Sequence, residues 1–172
     1  MSVLAKDALL RSIKSKEIVI KPFNVSDVGP GSIDLHLGND FRVFNKTHDI
    51  FKVVDNADYK NITKPVHVRN GDYLLIMPGE LVHGITIERI KTSDNISGRI
   101  EGRSRFARLG LIVHLSSGFM HPGNDSRIVL EMVNMSPVPL AVYPGTAICQ
   151  MIFERTEGRG KYAGRFFHQT TT

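Results

Sequence analysis

Apolar residues recur along most of this chain in short runs that alternate with polar ones and end at Gly, Pro, Asn or Asp, which is the patterning of strands. The exception comes first. Ala5, Leu9, Leu10 and Ile13 fall at helical spacing, with Ser2 as a candidate N-cap and cations at Arg11, Lys14 and Lys16, so one short helix is predicted within residues 1–15. Ile18-Val19-Ile20 predicts a short strand ended by Lys21-Pro22, and Val28-Gly29-Pro30-Gly31 predicts a turn. Residues 32–38 alternate, with Ile33, Leu35 and Leu37 on one face and Ser32, Asp34 and His36 on the other. Residues 39–70 are more polar and uneven, a meander with a long loop in which Phe41, Val43, Phe51, Val53 and Val54 mark strand fragments.

Beyond residue 70, strand signals recur every 8–12 residues or so, as in an all-β sandwich or barrel. They cover residues 73–77, 81–88, 96–101, 111–115, 128–133, 140–142 and 148–153. Pro78-Gly79, Ser97-Gly98, Pro122-Gly123, Pro137 with Pro139, and Pro144-Gly145 punctuate them. The prediction is a single, mainly β domain over residues 1–172. Residues 154–172 lack strand periodicity and read as a mobile basic segment, either a free tail or one that folds over an anionic ligand. Glycine permits close backbone approach there, and Lys161 and Arg165 supply charge.

Composition narrows the chemistry. A single cysteine, Cys149, excludes an intrachain disulfide and fits a reducing compartment. It also excludes the zinc deaminase arrangement, which needs Pro-Cys-x-x-Cys beside His-x-Glu. The net charge of +5 and pI near 9.5 point to a polyanionic partner. The cations are scattered, with one local cluster and no aromatic stacking motif, which favours a small phosphorylated ligand over nucleic acid. No membrane span or signal peptide is legible, and a soluble cytoplasmic protein is expected. Nucleophile-elbow, Walker and dinucleotide fingerprints are lacking as well.

Two segments carry candidate chemistry. Arg103, Ser104, Arg105 and Arg108 follow Gly102 closely and suit phosphate oxygens, although a solvated turn would have the same composition. In a strand at 128–133, Glu131 shares a face with Val129 and Val133. A carboxyl group in apolar company is a proton-transfer candidate, the alternative being an ordinary outward-facing charge. Asp34 could bind a ligand hydroxyl, cap a turn or pair with an arginine, and the structural roles are favoured. His114 and His121 lack a third ligand at metal spacing and read as ordinary strand and loop residues.

The ordered set Pro30 to Gly38, then Glu101-Gly102-Arg103-Ser104-x-x-Ala107-Arg108-Leu109-Gly110-Leu111, then Pro122-Gly123, Ile128-Val129-Leu130-Glu131, and Pro144-Gly145-Thr146-x-Ile148-x-Gln150-x-x-Phe153 resembles the dCTP deaminase family. The likeness runs on through Gly160-Lys161-Tyr162 and spans nearly the whole chain. It implies a dUTPase-like β-barrel or jelly-roll-like fold with a short N-terminal helix and a flexible C-terminal tail, assembled as a homotrimer with shared active sites. It further implies zinc-independent hydrolysis of dCTP to dUTP and ammonia. Glu131 would activate the water that attacks C4, while Ser104 and Arg108 would hold water and base. Arg103, Ser104, Arg105, Lys161, Tyr162 and Arg165 would face the phosphates, and Ser116, Ser117, His121 and Gln150 the base and sugar. Magnesium would ride on the triphosphate with no direct protein ligand, and a thymidine nucleotide is a candidate inhibitor.

This chain departs from the family pattern in places. His121 stands where an aspartate usually precedes Pro-Gly, Asn124 and Ser126 alter the same turn, and Ser116-Ser117 replaces Thr-Ala beside the base. Arg105 and Arg165 add positive charge. Deamination ending at dUTP is the leading expectation, because His121 counts against dUTPase chemistry. The alternatives are a bifunctional enzyme giving dUMP and pyrophosphate, or a non-catalytic nucleotide sensor of the same fold.

Overall fold

The computed structural model describes residues 2–172. Its strands are β1 (Ser2–Val3), β2 (Ile18–Lys21), β3 (Ile33–His36), β4 (Asp40–Phe44), β5 (Thr63–His67), β6 (Leu74–Ile76), β7 (Leu81–Thr92), β8 (Ile96–Gly102), β9 (Leu111–Ile112), β10 (Phe119–Met120), β11 (Asp125–Asn134), β12 (Leu140–Val142) and β13 (Ala147–Arg155). Among the described residues two helices, α1 (Lys6–Lys14) and α2 (Ser104–Ala107), and two 3₁₀ turns accompany them.

All strand pairs are antiparallel and fall into three sheets. In one, β13 lies between β8 on one side and β3 and β1 on the other, with β10 beyond β8. In the second, long β7 pairs with β11 along one edge and with β4 and β2 along the other, while β5 and β9 extend it outward. The third is the small β6–β12 pair. One core cluster joins them, with Leu35 and Leu37 near β3, Phe41 from β4, Ile90 from β7, Leu130 and Met132 from β11, and Met151 and Phe153 from β13. Leu9 of α1 is fully buried against the same cluster, and that contact makes the amphipathic first helix pay for its ordering.

The mainly β expectation holds, but the sheets stay open and no closed barrel forms among the described residues. The first helix starts at Lys6 with Ala5 as its N-cap, because Ser2 is drawn into β1 by pairing with Arg155. Residues 51–54 form no strand. Ile50 and Val53 are 93% and 95% exposed, so these apolar side chains have no sheet to pack on. Thr63–His67 is a strand instead, on the outer edge beside β4, where Pro65 costs no ladder bond. Ser97-Gly98 is not a break but the interior of β8. A Cβ at Gly98 would lie 2.8 Å from Met151 Sδ and 3.0 Å from Met120 Cε, so the glycine admits close side-chain packing.

The last strand also outruns its prediction, continuing through Glu154 and Arg155. Arg155 pairs with Glu17 at 3.0 Å, and its guanidinium holds the Glu17 carboxyl below the usual carboxylate range. Beyond Arg155 the chain folds back along the body. The backbone N–H groups of Gly160 and Tyr162 donate to Asp94 and Pro122 carbonyls at 2.8 and 2.9 Å, and Arg127 N–H donates to the Gln169 carbonyl at 2.9 Å.

Candidate active site

Leu130 and Met132 point into the core, so the two-residue period of β11 turns Glu131 to the opposite face. A register shift between Arg127 and Val129 breaks that period, the mark of a β-bulge. Arg127, Ile128, Val129 and Glu131 consequently line one cavity of about 310 Å³. Residues 117–121 contribute Ser117, Phe119 and His121, and Tyr59, His83 and His114 line it as well.

The Glu131 carboxylate is fixed by a neighbouring loop. Its Oε2 accepts from the backbone N–H of Ser116 at 3.2 Å and from the Ser116 hydroxyl at 3.3 Å. Directly across the ladder stands His83. Its ring meets Phe44 and Tyr59 edge-on, with centroids 5.3 and 5.4 Å away. Burial pushes the His83 imidazole below its ordinary value, Glu131 opposes that shift, and Arg42 reinforces it. His83 is therefore held toward neutrality in a site that also holds a carboxylate.

The C-terminal segment closes one side. Tyr162, Phe166 and Gln169 line the cavity, and the Tyr162 ring stacks on His121. Arg127 stitches body to tail, its Nε donating to the Thr86 carbonyl at 2.6 Å and its Nη1 to the Thr170 carbonyl at 3.2 Å. Arg165 pairs with Asp58 at 3.1 Å and donates to the Ala57 carbonyl. Lys161 lies outside the cavity, its backbone against Gly123, where φ is +71° and a Cβ would come within 3.1 Å of Lys161 Cα.

The arginine cluster sits elsewhere. Arg103 pairs with Asp34 at 3.0 Å and donates to the Ala147 carbonyl. Gln150 accepts from the Ser32 hydroxyl at 2.6 Å and donates to the Gly102 carbonyl at 3.1 Å. Ser104, Arg105 and Arg108 are exposed on or just after the single turn of α2 and do not line the Glu131 cavity. One chain thus brings together Glu131, Ser116, Ser117, His121 and Tyr162, and leaves Arg103, Ser104, Arg105, Arg108 and Gln150 on a second surface.

Sequence reasoning overlooked His83, Tyr59 and Arg127. His83 could have been found only from the pairing register of β7 with β11, and Arg127 only from the bulge. Among the described residues, no group of three or more His, Cys, Asp or Glu is placed to hold a metal ion, and no helix is long and apolar enough to cross a membrane.

A family model described as dCTP deaminase-like matches residues 3–156. A relative from Methanosphaera stadtmanae named "dCTP deaminase, dUMP-forming" is 35% identical over 156 residues, covering 90% of this chain and 79% of the relative. One of the same name from Mycolicibacterium vanbaalenii is 37% identical over 155 residues, covering 89% and 80%. The crystal structure of 2'-deoxycytidine 5'-triphosphate deaminase from Agrobacterium tumefaciens superimposes with a TM-score of 0.69 at 18% identity, over 90% of this chain and 48% of that one, a likeness of fold.

Proposed function

We propose that this chain, which belongs to the dCTP deaminase-like family, hydrolyses dCTP to ammonia and a deoxyuridine nucleotide in the Glu131 cavity and carries the product on to dUMP. The carrying observation is a carboxylate held by two Ser116 donors inside a cavity that the chain's own tail closes. Glu131 takes a proton from water as the oxygen bonds to C4 and passes it to N3, then takes the proton of the new C4 hydroxyl and gives it to the amine as the C–N bond breaks and C4=O forms. The balance is dCTP plus water giving dUTP plus ammonia. The dUMP step follows the name that the relatives bear, and it favours the bifunctional reading over an enzyme that stops at dUTP. That step consumes a second water and releases pyrophosphate, and His121, although it stands in place of the aspartate of the family pattern, is proposed to take that water's proton instead.

Ser104 and Arg108 join this chemistry in the proposal through a second copy of the chain. Both are exposed and outside their own cavity, and the apolar side chains of Leu109, Ile112, Leu115 and Phe119 are exposed nearby in sequence. A trimer would bury such residues and bring guanidinium charge to the attacking water, a form of help worth about 3 kcal/mol per group. Magnesium would arrive on the triphosphate, neutralising phosphate charge. The cations proposed to flank the phosphates, Arg105, Lys161 and Arg165, suit an anionic metal–nucleotide complex better than a free metal ion.

Incubating wild type and Glu131→Gln with dCTP and magnesium, with ammonia assay and nucleotide chromatography, tests the reading. Ammonia with dUMP from the wild type and neither from the variant is expected. Absence of ammonia from the wild type overturns the proposal, and accumulation of dUTP overturns its second step.

A further inference from the structure

His83 enters the cavity without an assigned purpose. It faces Glu131 across the β7–β11 ladder, in the register pair Glu131 to His83. Residues directly opposite in an antiparallel pair hold their Cβ atoms roughly 4.5–5.5 Å apart, close enough for side chains to meet. The ring is clamped edge-on by Phe44 from β4 and by Tyr59 from the 3₁₀ turn Tyr59–Asn61. Its Nδ1 is buried without a hydrogen-bond partner. A buried polar atom left in this way calls for an explanation.

The surroundings select a tautomer. A proton on Nδ1 would leave an unsatisfied donor buried beside apolar rings, whereas a proton on Nε2 leaves the donor for a water bridging to the Glu131 carboxylate in the shared cavity. The charged and titratable groups facing His83 are Glu131 on β11, Arg42 on β4 and the Tyr59 phenol, with His114 lining the same cavity. Arg42 and burial disfavour a second proton on the ring, and Glu131 is the one group that favours it. A neutral ring results, lining the same cavity as the base of the proposed reaction.

We propose that His83 is a positioning residue for Glu131, presenting Nε2–H to the carboxylate through one water so that the carboxylate is oriented when the attacking water is bound. Ser116 holds the carboxylate from the loop side, and His83 holds it from the sheet. The inference deepens the proposed deamination and rests on it for its purpose, but the coupling between the two side chains is measurable without turnover.

Carbon-detected titration of Glu131 in protein labelled at glutamate Cδ tests it. His83→Leu removes the donor and should raise the Glu131 midpoint by about half a pH unit or more. His83→Gln, whose amide can replace Nε2–H, should restore most of the shift. The acid limb of the rate profile should move in the same direction. An unchanged Glu131 midpoint in His83→Leu overturns the proposal. Should that variant fail to fold, nitrogen-15 spectra of wild type and Glu131→Gln decide the matter. A wild-type ring protonated at Nε2, whose own midpoint falls in Glu131→Gln, supports the pairing. An Nδ1–H tautomer or an unmoved midpoint overturns it. If wild type releases no ammonia, the deaminase reading fails on its own evidence while these spectra still decide the pairing.

Discussion

The rings of His121 and Tyr162 stack, with centroids 5.3 Å apart and planes within 1° of parallel. Tyr162 is brought there by its backbone bond to Pro122 and by Gly123, whose left-handed φ and missing side chain leave room for Lys161. The turn where this chain departs most from its family pattern is thus the turn that seats the tail. An aromatic stack is worth about 0.5–1.5 kcal/mol beyond its buried area. Tyr162→Ala should therefore raise the KM for dCTP severalfold and increase amide exchange across residues 160–170, with the melting temperature nearly unchanged. Exchange at wild-type rates would show that the stack does not retain the tail.

His121 should separate the two hydrolytic steps. His121→Ala is expected to keep ammonia release from dCTP while losing most pyrophosphate release from dUTP, read by parallel assays on the same preparation. Equal loss of both activities would place His121 in nucleotide binding and not at the second water.

Burial sets a sign for acid stability. The folded-state pKa of His83 lies below its ordinary value of 6.5, so the unfolded chain binds the extra proton first. The resulting contribution is complete above about pH 6.5 and is lost as pH falls from there through the lowered folded value. Wild type should lose more stability than His83→Gln between pH 8 and pH 5 in denaturant titrations, with matched slopes.

The proposed second copy predicts complementation. Arg108→Ala and Glu131→Gln should each be inactive alone. After mild dissociation and mixing they should recover a measurable fraction of wild-type ammonia release, because some cavities then pair an intact Glu131 with an intact Arg108 from another subunit. Mixtures that exchange subunits yet stay silent would show that both residues must come from one chain.

The Asp58–Arg165 pair ties the tail to the loop before Tyr59. Both partners are solvent-accessible, so Asp58→Asn should cost less than about 1 kcal/mol. Its visible effect should be faster tail exchange that high salt reproduces in the wild type.

Alternating apolar runs determined the mainly β class, the extent of β12 and, to within one residue, of β2, and most of the order of strands, because burial of one sheet face imposes a two-residue period on the sequence. The same period turned Glu131 away from Leu130 and Met132, and the resemblance marked it as the base. Local pattern could not foresee Ser2 leaving the helix for β1, Gly98 serving as a packing gap, or residues 154–155 continuing a strand. Each depends on a partner segment more than 50 residues away.

The site divides in the same way. Ser116, Ser117, His121, Tyr162 and Glu131 were legible as chemistry, yet the convergence of the last four on one cavity, with Ser116 bonded to Glu131, was decided by the bulge in β11 and by the return path of the tail. His83 became visible only when the β7–β11 register placed it opposite Glu131. Periodicity records which face a residue takes; the residue across the ladder is chosen by pairing between distant segments, and that is why the arginine turn and the glutamate, neighbours in the reading of the sequence, lie on separate surfaces of one chain.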